Sequence, residues 1–205
     1  MLIIYNHMSK KVFFIRHGYA LHNKLFWEIG AKAYSDYVDT PLLHKGYIQA
    51  DECRKRYKKE LKDIELVLVS PLTRTLQTAV SIFGESTFFR TKIRALDCLM
   101  EYPQGGPELC NKRKTREILR RNYPTVEFTY VKDGEVEWNQ NKETIKELQS
   151  RIDEMIEFIR KRPETKIAVV SHSSILCQHL YGEIYDEENE LMHCQPYGPY
   201  KFAKL

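Results

Sequence analysis

Three short stretches carry arginine or histidine at the ends of apolar runs: FFIRHG at 13–18, VSPLTR at 69–74 and VVSHS at 169–173. Arginine presents paired planar donors that match two oxygens of a phosphate, and it stays charged at any physiological pH. Arg16 and Arg74 could therefore clamp one phosphoryl group. A neutral imidazole, with an ordinary pKa of about 6.5, keeps one ring nitrogen free to attack phosphorus near pH 7. His17 and His172 are the candidates for that attack. Gly18 lets the backbone come close beside the first histidine, and a helix opening near Ser173 would add backbone N–H donors and a positive dipole end. A lone histidine at a strand end is more often a structural hydrogen bonder. The recurrence of basic residues after three separate apolar runs carries the chemical reading.

Those runs are VFFI at 12–15, LVLV at 66–69 and IAVV at 167–170, each apolar at every position. Continuous runs of this kind suit strands buried on both faces, as in a parallel sheet. A weaker strand candidate is 93–96. Helix patterns lie between them. One runs over 72–83, with Pro71 before it and Gly84 after it. Another follows the stripe of Ile145, Leu148, Ile152, Met155, Ile156 and Ile159 and must end before Pro163. A third, strongly basic on its exposed face, is expected over 46–61. Strands alternating with helices predict a single α/β domain, with a mostly parallel central sheet flanked by helices on both faces. In such a sheet the carboxyl ends of all strands share one side, where ligands bind. Arg16, His17, Arg74 and His172 should thus surround one point. The stretch 101–107, with two prolines and two glycines, reads as a loop over one end of the sheet. The acidic residues of 186–190 read as a solvated patch.

Bulk composition narrows the function classes. A chain of 205 residues with 42% hydrophobic content can bury a sizeable core as one domain. Lysine and arginine number 32 against 28 acids, a bias too mild to imply nucleic acid but compatible with a small anionic substrate. Five scattered cysteines without a CxxC pair suggest neither a disulfide framework nor a zinc site, so a reducing compartment is the simpler reading. No segment approaches the roughly 20 apolar residues of a membrane span, and a cytoplasmic protein is expected. Residues 1–10 are set apart as an N-terminal extension without assigned structure, with Met8 a plausible second start. The domain then covers 11–205, and a homo-oligomer is left open.

Taken together, the motifs resemble the histidine phosphatase, or phosphoglycerate mutase-like, superfamily. RHGYALHN at 16–23 is similar to the family's RHG-x4-N signature, DTPLLHKGYIQA at 39–50 to its D-x-PL-T-x-x-G-x-x-QA segment, and SPLTRTLQTA at 70–79 to its SPL-x-RA-x-QTA segment. RPETKIAVVSHSSIL at 162–176 resembles the stretch bearing the second histidine. The likeness spans roughly 11–181. It implies that His17 becomes phosphohistidine, that Arg16, Arg74 and His172 hold the phosphoryl oxygens, and that Asn23 and Ser173 line the same pocket. The family's proton donor is a glutamate after the strand that follows the SPL-x-R helix, and LMEYPQGG puts Glu101 there, with Glu108 on the same loop as the rival. No metal or other cofactor is expected, since two neighbouring arginines would repel a cation.

Departures from the family pattern refine the expectation. Leu43 stands where threonine is usual, and Ser173 where glycine often follows the second histidine; neither removes a reactive side chain. The mutases usually read RHGES and carry an E-R-x-Y-G stretch, whereas this chain has Tyr19-Ala20 and Glu101-Tyr102-Pro103. The resemblance therefore favours a phosphatase over a cofactor-dependent phosphoglycerate mutase. A non-catalytic module binding phosphorylated ligands or a protein is the alternative of another class. Lys112 and Arg113, after the Glu101 loop, are candidates for selecting a second anionic group on a small phosphorylated substrate. Phe26, Trp27, Tyr34 and Tyr37 are candidates for packing against a substrate body, or simply for lid or core packing.

Overall fold

A computed structural model describes residues 9–84, 91–103, 108–134, 143–184 and 188–203. The apolar run after Ser9 forms β1 (Lys10–Arg16), and the chain continues through α1 (Leu21–Ile29), α2 (Lys32–Ser35) and α3 (His44–Arg56) to β2 (Leu66–Val69). Then come α4 (Thr73–Phe83), β3 (Lys92–Leu96), α5 (Arg116–Asn122), β4 (Val126–Tyr130), α6 (Ile145–Arg160), β5 (Lys166–Ser171), α7 (Ser173–Tyr181) and β6 (Pro196–Phe202). The strands form one sheet in the order β4-β3-β2-β5-β1-β6. All neighbours are parallel except β6, which runs antiparallel to β1.

Period-two alternation sorts the strand residues between two cores. Phe13, Ile15, Val67, Val69, Ala168 and Val170 pack on one face with α3, α4 and α5. Val12, Phe14, Leu66, Leu68, Ile167 and Val169 pack on the other with α6 and α7. Both faces are covered, which is why the central strands are apolar throughout. The α/β expectation, with helices on both sides of a mostly parallel sheet, holds.

Details differ from the pattern reading. The basic helix stops at Arg56, five residues short of the expected end. Its cation run offers no further apolar stripe, and Leu61 and Ile64 enter the core from the turns that follow. Of the segment set apart as an extension, 1–8 lies outside the described residues, while Lys10 already belongs to β1. Its buried ammonium donates to the carbonyls of Arg162 and Glu164. Residues 104–107 of the expected loop also lie outside the description. Among the described residues, no helix is long and apolar enough to cross a membrane, and all five cysteines are buried free thiols.

Candidate active site

The sheet order sets the carboxyl ends of β2, β5 and β1 side by side. Register keeps them level: Arg16 faces Ser171 across β1 and β5, and Val69 faces Val170 across β2 and β5. Beyond the strands, the His17 amide donates to the Ser171 carbonyl at 3.0 Å, and the Ser70 amide to the Val170 carbonyl at 3.1 Å. The rings of His17 and His172 consequently meet edge to face, their centroids 5.2 Å apart. Above them opens a cavity of about 990 Å³, whose wall includes Arg16, His17, Asn23, Arg74, Glu101 and Ser173. His172 is fully buried behind the wall.

Hydrogen bonds set the state of each group. His17 Nδ1 lies 2.7 Å from the Gly18 carbonyl oxygen. A carbonyl only accepts, so Nδ1 carries the hydrogen and Nε2 keeps its lone pair. Burial, reinforced by Arg74 and by His172, His193 and His22, holds the His17 pKa well below 6.5. Its imidazole is neutral at physiological pH. His172 Nε2 sits 2.8 Å from Ser70 Oγ, while its Nδ1 is buried with no partner among the described residues. Arg16 Nη1 donates to Glu190 Oε1 at 2.8 Å and to the Leu191 carbonyl at 2.7 Å. Arg74 Nη1 and Nη2 donate to the Cys110 carbonyl at 2.8 Å and to Asn111 Oδ1 at 2.7 Å. The Nε of each arginine is buried and has no partner among the described residues. Three side chains flanking His17 thus each carry an orphaned nitrogen, a costly arrangement unless a ligand supplies partners.

Glu101 follows a 3-10 turn, Asp97–Leu99, which succeeds β3. Its carboxylate accepts from the Tyr102 amide at 2.8 Å and, more weakly, from the Ile175 and Ser174 amides at 3.3 and 3.4 Å. Burial nevertheless wins, and the carboxyl pKa is raised above 4.5. The amino end of α7, expected to face an anion directly, spends those two amides on Glu101 instead.

A model of the histidine phosphatase superfamily (branch 1) matches residues 12–194. The chain belongs to that superfamily. Among its relatives, the phosphoglycerate mutase-like protein 1 of Arabidopsis thaliana is 31% identical over 83% of this chain and 70% of its own. A probable phosphatase of Schizosaccharomyces pombe is 27% identical over 90% and 82%. Among solved structures, the ecdysone phosphate phosphatase of Bombix mori superposes with a TM-score of 0.63 at 19% identity, covering 91% of this chain and 87% of that one. A phosphoserine phosphatase of Entamoeba histolytica, in complex with 3-phosphoglyceric acid, gives 0.52 at 18% identity, covering 95% and 97%. At those identities the structures speak for the histidine phosphatase fold.

In this member of the superfamily the outer basic residues take other places than expected. Arg113 does not face the cavity: its side chain is fully buried, with Nε and Nη2 on the two Asp97 oxygens at 2.8 and 3.2 Å. Lys112 is not on the wall either. A half-buried carboxylate 16 residues earlier captures the one arginine, which position in sequence does not disclose. Asn23 lines the cavity, but its Oδ1 accepts from the Ala20 amide at 2.9 Å and so also caps α1. Glu190, read as solvated, reaches back to Arg16.

Three lining residues had no signal of their own. His22 stands inside the RHGYALHN motif, and its Nδ1 lies 2.6 Å from Thr40 Oγ1. His193 donates from Nδ1 to the His17 carbonyl at 2.6 Å, and burial with Arg16 nearby lowers its pKa to about 4. Glu190 sits on the same returning segment. Both came from a stretch without periodicity or motif; only the spacing of His22 beside Asn23 could have drawn attention.

Backbone packing fixes the nucleophile loop. A Cβ on Gly18 would stand 2.7 Å from the Gly46 carbonyl oxygen, and one on Gly46 only 2.4 Å from the Tyr19 carbonyl oxygen. Backbone cannot swing away as a side-chain tip can. Gly46→Ala is expected to destabilise the fold by roughly 1–3 kcal/mol, read as a lower urea midpoint; an unchanged midpoint would refute the close approach. The buried histidines make a second prediction. The pKa values of His17, His22 and His172 are all depressed in the folded state. The stability they contribute is present above the unfolded value near 6.5 and is lost as pH falls towards the folded values. The Tm should drop by at least several degrees between pH 7 and pH 5, and a flat profile would contradict the neutral, buried state.

Proposed function

We propose that the protein is a phosphatase that hydrolyses a phosphomonoester through a phosphohistidine at His17. The observation that carries the reading is the neutral His17 ring with its free Nε2, set beside the buried Nε–H groups of Arg16 and Arg74, which lack acceptors among the described residues. A phosphoryl group supplies those acceptors. Nε2 forms the N–P bond as the ester P–O bond breaks, and protonated Glu101 gives its proton to the departing alkoxide. Water then attacks phosphorus, the Glu101 carboxylate takes its proton, and the N–P bond breaks to free phosphate and the neutral ring. Arg16 and Arg74 neutralise the oxygens in both steps, and the neutral His172 ring can only add a hydrogen bond. The phosphatase names of the relatives support the hydrolytic class.

Phosphate release from a panel of monoesters, measured with and without EDTA and with and without 2,3-bisphosphoglycerate, tests this reading. EDTA-insensitive release that needs no bisphosphate is expected. Activity that vanishes in EDTA would overturn the metal-free mechanism, and a strict need for bisphosphate would turn the assignment to a mutase.

A further inference from the structure

The cavity is far larger than a phosphoryl group. At about 990 Å³ it stands at the upper end of the roughly 300–1,000 Å³ typical of small-molecule sites. An unbroken series of rings leads outward from the nucleophile along one side. His17 meets His22 at 5.6 Å between centroids, His22 meets Tyr34 at 5.9 Å, Tyr34 stacks on Phe26 at 5.4 Å and 22°, and Phe26 meets Trp27 at 6.1 Å. The outer members, all on the cavity wall, are exposed: Phe26 at 40% and Trp27 at 82% of their surfaces. Large apolar rings left in water at the mouth of a cavity mark a binding surface. The charges around the rim do not point to a second anion. Of the cations near the wall, Lys45 lies over the Tyr19 ring at 4.7 Å, Lys32 shares the rim with Glu108 and with Glu190, which is held by Arg16, and Arg113 is turned inward onto Asp97.

We propose that the ring series from Tyr34 to Trp27 selects monoesters whose alcohol carries a flat, apolar, ring-containing body and no second negative group. This rests on the phosphatase reading for the seat of the phosphoryl group, and it departs from the expectation of a substrate with a further anion. The body would lie along the α1–α2 side of the cavity, stacked on Phe26 and closed at its outer edge by Trp27. The lone phosphoryl group would meet Arg16 and His17 at the floor.

Binding of phosphonates, which cannot be hydrolysed, tests the selection apart from the catalysis. By titration calorimetry, 2-(1-naphthyl)ethylphosphonate should bind about 10–100-fold more tightly than ethylphosphonate, the gain from burying an aromatic group. 3-Phosphonopropionate, which adds a carboxylate, should gain nothing over ethylphosphonate. In Phe26→Ala/Trp27→Ala the naphthyl preference should fall towards unity, whereas Trp27→Phe should keep most of it. Both residues are too exposed for their loss to threaten folding. Equal affinities for the naphthyl and ethyl compounds, a preference that survives the double variant, or tightest binding of the carboxylate compound would each overturn the proposal. Turnover of 2-(1-naphthyl)ethyl phosphate is measured separately. Its absence beside an intact phosphonate preference would sink the phosphatase reading and leave the binding surface standing.

Discussion

With His17 replaced by alanine, turnover of every phosphomonoester should fall by about 10⁴–10⁶-fold, the scale seen when a nucleophile that acts as part of a unit is removed. The argument runs through the ring's two nitrogens. Nδ1 is committed to the Gly18 carbonyl, so the lone pair on Nε2 is fixed in direction by a bond on the far side of the ring. Burial beside Arg74 keeps that ring unprotonated, and the same cations then meet the charge brought by the phosphoryl oxygens. Rapid acid-free quenching of the wild type during turnover should trap a phosphoenzyme whose label is released by mild acid, as an N–P bond requires. The alanine variant should carry none. Its melting temperature and phosphonate affinity separate lost chemistry from lost folding. An alanine variant within tenfold of the wild-type rate, or one that still takes up acid-labile label, would sink the proposed nucleophile.

How far this site could be read from the chain depends on what held each residue in place. Arg16, His17, Arg74 and His172 follow strands that are apolar at every position, and parallel register then carries their neighbours to one level. Local pattern and sheet geometry agree there, so position in sequence was enough. The rim was different. β4 and β6 went unread because VEFTY is short and half exposed, and PYGPYKF carries two prolines and a glycine. Such composition argues against a strand except at a sheet edge, which is where β6 lies. The segment before β6 brings Glu190 and His193 back over Arg16 and His17. Nothing in its composition announces a 174-residue return contact. Lys112 and Arg113 failed for the opposite reason. By position the two read as a pair facing one ligand, but Arg113 bonds to Asp97, as its neighbours Lys114 and Arg116 bond to Asp39 and Asp133. Separate carboxylates along the chain took Arg113, Lys114 and Arg116 one by one.

Glu101→Gln should slow hydrolysis of an alkyl phosphate by about 10²–10⁴-fold, the usual contribution of a positioned acid or base. It should slow p-nitrophenyl phosphate far less, because that leaving group departs without a proton. The distinction isolates proton donation from mere packing, since a structural role would depress both esters alike. The pH profile supplies the sign. The Glu101 pKa is raised by burial, and the dianion of a bound ester raises it further, so the acid form fails as pH climbs through that value. The wild type should therefore lose alkyl phosphate hydrolysis on the alkaline side, and the glutamine variant should lack that limb. Stability should move in the contrary direction. A group whose folded pKa is raised contributes stability that is present below its unfolded pKa and is lost as pH rises through the folded one. At neutral pH a glutamine in this place avoids that loss, so the variant should melt on the order of a few degrees higher than the wild type, with the gap closing near pH 4. Equal slowing of both esters, with an unchanged alkaline limb, would remove Glu101 as the donor and leave Glu108, on the same wall, as the carboxylate to replace next.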